Sequence, residues 1–158
     1  MKHLMEDVRA FHEAAGHPIR SKPAMVPRSR LLLRANLIGE EYFEMLEAMF
    51  LLSPETRIRL EDMRQELNGL LKAHAEAPSP LDTKALAGTA DALVDMAYFI
   101  VGTALERGLP LDKVWEAVQT ANMAKFPGGV ALRREDGKII KPEGWQPPDV
   151  AAIIAGTK

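Results

Sequence analysis

Glu40, Glu41, Glu44 and Glu47 fill four of eight consecutive positions in a stretch that has no basic residue between Arg34 and Arg57. Farther along, the run from Ala85 to Leu105 is uncharged except for Asp91 and Asp95, four residues apart. On α-helices, Glu40, Glu44 and Glu47 fall within an arc of about 60°, with Glu41 on its flank, and Asp91 and Asp95 share a second face. Like charges at this spacing repel by roughly 0.2–0.5 kcal/mol per pair, whereas solvated helix faces usually mix signs. Carboxylates gathered without local counter-charge suit a divalent cation. The other readings stay open: a solvated acidic face for the glutamates, and for the aspartates a hydrogen bond from Arg34 or a tyrosine hydroxyl.

Oxygen-only donors favour Mg2+, with Mn2+ as the alternative. Neither face carries a histidine, and the chain has no Glu-x-x-His pair of the kind that di-iron bundles use. Magnesium held by carboxylates keeps positions for water and substrate phosphates, so the chemistry indicated is that of phosphates. Cations suited to a polyphosphate are present. No acidic residue interrupts Ala14 to Gly39, where Arg20, Lys22, Arg28, Arg30 and Arg34 occur. Asn122 and Lys125 share a helix face, and the tail adds Arg133, Arg134, Lys138 and Lys141, then Trp145, which could cover a base or pin the tail. No Gly-x-x-x-x-Gly-Lys-Ser/Thr loop is present, which removes a P-loop enzyme by motif.

The elements that must position these groups read as helices almost throughout. The spacing predicts helices from about Leu4 to Ala15, Ser29 to Leu52, Pro54 to Ala75, Thr83 to Arg107 and Pro110 to Lys125, with a short one after Pro148. Gly16, Ser53-Pro54, Gly108 and Pro127-Gly128-Gly129 mark their ends. The fold class is all-α: a helical bundle with a four-helix core and a turn-rich C-terminal tail. A chain of 158 residues with 47% hydrophobic and 27% charged residues suits one soluble domain. Within 1–158 we divide it into an N-terminal helix and proline-rich loop (1–28), core helices (29–126) and a tail (127–158). The apolar surroundings of Asp91 and Asp95 predict a central, buried helix.

The remaining composition narrows the function classes. With no cysteine there is no disulfide, thiolate metal site or cysteine nucleophile. A net charge of −2 gives no reason to expect nucleic acid or an anionic membrane as partner. The N-terminus lacks the apolar core of a signal peptide, and the most apolar run, Met96 to Leu105, is shorter than a membrane span of about 20 residues. The expectation is a cytoplasmic protein.

Glu40-Glu41-x-x-Glu44, the pair ending in Asp95, and Asn122-x-x-Lys125 occur in an order that resembles the MazG-like all-α nucleoside triphosphate pyrophosphohydrolases. The segment Asp91-Ala92-Leu93-Val94-Asp95-Met96-Ala97-Tyr98, and the tail from Asp136-Gly137-Lys138 to Trp145, bring the likeness closest to phosphoribosyl-ATP pyrophosphohydrolase-like proteins and MazG-type dUTPases. The resemblance implies magnesium-dependent cleavage of a (d)NTP, with dUTP first among candidates, to the monophosphate and pyrophosphate. It implies a homo-oligomer, dimer or larger. It also assigns Glu40, Glu41, Glu44 and Asp95 to the metal site, and Asn122 and Lys125 to phosphate. Ala92 stands where the family has a glutamate, and Asp91, on the face of Asp95, stands in for it. Glu41, off the row of the other glutamates, is the candidate base. Arg34, Lys138, Lys141 and Trp145 complete the candidate substrate-binding set. Phosphoribosyl-ATP hydrolysis and a non-catalytic nucleotide- or protein-binding module are the alternatives.

Overall fold

The computed structural model describes residues 3–24, 26–74, 82–134 and 139–156. The architecture is all-α: α1 (Leu4–Ala14), α2 (Arg28–Phe50), α3 (Pro54–His74), α4 (Thr83–Glu106), α5 (Leu111–Met123) and α6 (Val150–Ala155). Among the described residues the only β-type pairing is an isolated bridge between Arg133 and Ile139. Helix ends follow the local chemistry. Gly16 and Gly108 take φ +64° and +62° just past α1 and α4. Each lets the chain fold back on its helix, through His17 N–H to His12 O (2.8 Å) and Leu109 N–H to Ala104 O (2.9 Å). At α6, the Asp149 carboxylate accepts from Ala152 N–H at 2.9 Å, so the helix expected after Pro148 begins with a side-chain cap.

The chain divides into two compact units, Pro23–Ala85 and the remainder, Met1–Lys22 with Leu86–Lys158. The first is an αα-hairpin of α2 packed on α3. Its turn passes through Leu51, a left-handed residue at φ 49° and ψ 51°, and Ser53, whose Oγ accepts from Thr56 N–H at 3.3 Å to start α3. At the far end of the hairpin, Arg28 donates to the His74 carbonyl.

In the second unit α1 packs on α5, and α5 on α6. Two side-chain bonds and one ring pair set the first contact. The Trp115 indole N–H donates to Asp7 Oδ2 at 2.7 Å, the Gln119 amide to Asp7 O at 3.0 Å, and Phe11 meets Phe126 edge to face at 5.2 Å. Ala15, Ala104 and Phe126 are the buried apolar residues. The tail returns to α1 through Ala131 N–H to Ala14 O (3.1 Å) and the Arg133 guanidinium to Ala15 O.

Helix α4 departs from expectation. Within its unit it joins neither helix pairing. Tyr98 and Phe99 are about three-quarters exposed (77% and 75%), and Asp91 and Asp95 are exposed rather than buried. The whole helix, not merely its apolar run, is long and apolar enough to cross a membrane by length and composition. Every 18-residue window of it nevertheless contains both aspartates, each costing about 2.5–3.5 kcal/mol at the centre of a span.

Candidate functional site

The glutamates of α2 separate into two kinds. Glu40 Oε1 lies 3.3 Å from Arg64 Nη1, and Glu47 Oε2 lies 3.5 Å from Arg57 Nε. Both arginines are on α3. The counter-charge absent from the local sequence is thus supplied across the hairpin for two of the four glutamates, which corrects the picture of a face made only of repelling pairs. Glu41 and Glu44 are exposed and have no ion-pair or hydrogen-bond partner among the described residues.

Arg64 is itself held. Its Nε and Nη2 each donate to Glu61 at 2.7 Å, and the Gln65 amide donates to Glu61 Oε1 at 2.8 Å. These donors, Arg64 first and Gln65 second, pull the Glu61 carboxyl down from 4.5 to about 2. Sequence reading missed Arg57, Glu61 and Arg64.

On α4, Asp91 and Asp95 have no hydrogen-bond or ion-pair partner among the described residues of their own unit. Arg34 is exposed on α2. Among the described residues no three His, Asp or Glu side chains are grouped closely enough to hold a metal ion. Taken unit by unit, Glu41 and Glu44 in the one and Asp91 and Asp95 in the other are oxygen donors without another partner among the described residues, and oxygen donors suit a hard divalent cation.

Two of the predicted cationic residues, Lys125 and Lys141, converge. At the end of α5, Lys125 Nζ donates to Asn122 Oδ1 at 2.7 Å. Trp145 packs beside it, its indole N–H donating to Ala121 O at 2.7 Å. Lys125 Nζ lies 5.3 Å, and Lys141 Nζ 4.2 Å, from the centre of the Trp145 ring. Desolvation, and then the charge of Lys141, hold the Lys125 ammonium below its usual range. Trp145 therefore does pin the tail, and in doing so gathers two ammonium groups around an indole. Two crowded cations, one partly desolvated, lack a local counter-charge, a chemistry that suits a multiply charged anion. Lys138 lies outside the described residues.

The all-α fold is that of the MazG-like pyrophosphohydrolases, as comparison with known proteins shows. Residues 8–122 match the model of the phosphoribosyl-ATP pyrophosphohydrolase family, and the chain belongs to that family. It is also similar to the crystal structure of a candidate NTP pyrophosphohydrolase from Exiguobacterium sp. 255-15. The two are 33% identical with a TM-score of 0.75, over 96% of this chain and 94% of that one. No curated protein matches.

Proposed function

We propose that this protein is a cytoplasmic, metal-dependent pyrophosphohydrolase that cleaves a (d)NTP to the (d)NMP and pyrophosphate. The observation that carries this reading is the pairing of two chemistries on one chain: partnerless carboxylates at Glu41, Glu44, Asp91 and Asp95, and the Asn122–Lys125–Lys141–Trp145 receptor. Glu40, Glu44, Asp91 and Asp95 would hold Mg2+, or Mn2+ in its place, with Glu41 a residue of the same metal site outside the direct ligand set. When bound, the ion neutralises phosphate charge and acidifies a coordinated water. Glu41, free of any ion pair, accepts the proton of the attacking water. Lys125, fixed by Asn122, and Lys141, fixed over Trp145, receive phosphate oxygens and offset charge on the departing pyrophosphate. Arg34 and Lys138 belong to the same substrate-binding set.

The exposed apolar residues of α4, among them Leu93, Val94, Tyr98 and Phe99, support assembly as a homo-oligomer that covers them. Among deoxynucleotides dUTP is the first to test. The family match gives phosphoribosyl-ATP as the second substrate reading, since it offers the same triphosphate to the same receptor.

Product analysis decides the matter. Ribo- and deoxynucleoside triphosphates and phosphoribosyl-ATP are incubated with the protein and Mg2+, Mn2+ or chelator. The expected result is pyrophosphate plus a monophosphate from one class, lost with chelator and in Glu44→Gln and Asp95→Asn. No turnover of any of these would replace the enzyme with a nucleotide-binding module.

A further inference from the structure

Arg64 is unusually placed for a residue that contacts a candidate metal ligand. A guanidinium facing a carboxylate normally forms a two-bond fork, which would occupy both oxygens of Glu40 and leave none for a cation. Here the Nε/Nη2 edge of Arg64 is given entirely to Glu61, with two bonds of 2.7 Å. Gln65 steadies Glu61 from the next turn at 2.8 Å. Only Nη1 remains for Glu40, at 3.3 Å from Oε1. Glu40 Oε2 accepts no hydrogen bond from the described residues. Glu61 also cancels the charge of Arg64, so Glu40 keeps its attraction for a cation.

We propose that Glu61 is a positioning residue: by sequestering Arg64 it leaves Glu40 oriented through one oxygen and available to a divalent cation through the other. The inference rests on the reading of Glu40 as a metal-site residue, and its test separates the two. Glu61→Gln releases the Arg64 fork to close on Glu40 as a two-bond pair. Glu61→Gln/Arg64→Ala removes the competitor as well. Asp62→Asn deletes the same charge from the next residue, which makes no bond to Arg64.

Mn2+ binding by the full-length protein, followed through the electron paramagnetic resonance of free Mn2+, reads the result without turnover, and circular dichroism checks helicity. Glu61→Gln is expected to weaken Mn2+ by about tenfold, a typical effect of a group that orients a metal ligand, and Glu40→Gln, which removes the ligand charge itself, by at least as much. The double variant is expected to bind more tightly than Glu61→Gln but short of wild type, because the competing fork is gone and with it the bond that orients Glu40. Asp62→Asn is expected within about twofold of wild type, since an exposed charge with no bond to Arg64 is screened. If Glu40→Gln weakens binding while Glu61→Gln does not, or matches only Asp62→Asn, the sequestering role is overturned and Glu40 remains a ligand. If Arg64→Ala fails to rescue Glu61→Gln, the role is overturned in the same way. If Glu40→Gln has no effect, the metal assignment of Glu40 falls and takes this inference with it.

Discussion

The Lys125 ammonium donates to Asn122 Oδ1 at 2.7 Å, locking together two side chains one turn apart at the end of α5. Asn122 thereby fixes the direction of a cation that burial and Lys141 both make less comfortable. Removing that cation should be costly to substrate capture. Lys125→Ala is expected to lower kcat/KM for the triphosphate about 10- to 100-fold, the range for losing a hydrogen bond to a charged group. Asn122→Ala should raise KM with less effect on kcat, because the ammonium stays but loses its aim. Steady-state kinetics that left both parameters untouched would remove the pair from the receptor.

The same lysine predicts a pH signature. Its folded value lies below the ordinary 10.5, first through desolvation and then through Lys141. The charged form is thus disfavoured by folding. Lys125 costs stability at neutral pH, and that cost is relieved as pH rises through the folded value towards 10.5. Bound pyrophosphate should reverse the shift by supplying the missing counter-charge, and Lys141→Gln should reverse part of it. NMR titration of the Lys125 side chain, with and without pyrophosphate, checks both directions.

Trp145 joins the tail to the helix that carries Asn122. Trp145→Phe keeps a ring beside Lys125 and Lys141 but leaves Ala121 O without the indole N–H. A loss of about 1 kcal/mol is expected from urea denaturation, the usual contribution of one hydrogen bond. Faster amide exchange should concentrate around Ala121 and Trp145. Unchanged stability would mean that the ring, not the bond, anchors the tail.

Helix boundaries were legible because capping chemistry is local: Gly16, Ser53-Pro54 and Gly108 each act within a few residues of themselves. The cluster beyond α5 was legible in membership, since Asn122, Lys125, Lys141 and Trp145 were all singled out, but the stacking of two lysines on one ring was not. The hairpin pairing left a trace that local reading overlooked. Glu40 and Glu47 are seven residues apart, as are Arg57 and Arg64, and Leu51–Ser53 lies between the two sets. Two helices folded antiparallel about that turn bring 40 opposite 64 and 47 opposite 57. Helix α4 misled for the opposite reason. An apolar sequence requires covering in the assembled protein, but does not say that the same unit of the same chain provides it.

That distinction makes α4 testable by assembly. Phe99 is 75% exposed, so Phe99→Glu disturbs little within the chain as described. In an oligomer closed over α4, the glutamate would be buried without a partner, which is strongly unfavourable. Sedimentation should then show a shift towards monomer, with helicity retained by circular dichroism. An unchanged sedimentation coefficient would mean that Phe99 lies outside any subunit contact.

Leu51 closes the α2–α3 turn in a conformation that glycine adopts freely and leucine does not. Its φ of 49° and ψ of 51° place it in the left-handed region, where an L-residue with a Cβ costs roughly 1–2 kcal/mol. The side chain gains little in return, being 86% exposed. Leu51→Gly removes the steric cost but gives the unfolded chain more freedom, an opposing term of about 0.4–1 kcal/mol. The relief is the larger, so a net stabilisation of about 0.5–1 kcal/mol is expected by urea denaturation. Leu51→Val should move the other way, because branching at Cβ aggravates the same clash. If both variants destabilised, Leu51 would be making apolar contacts in the assembled protein, and the turn would belong to a subunit interface.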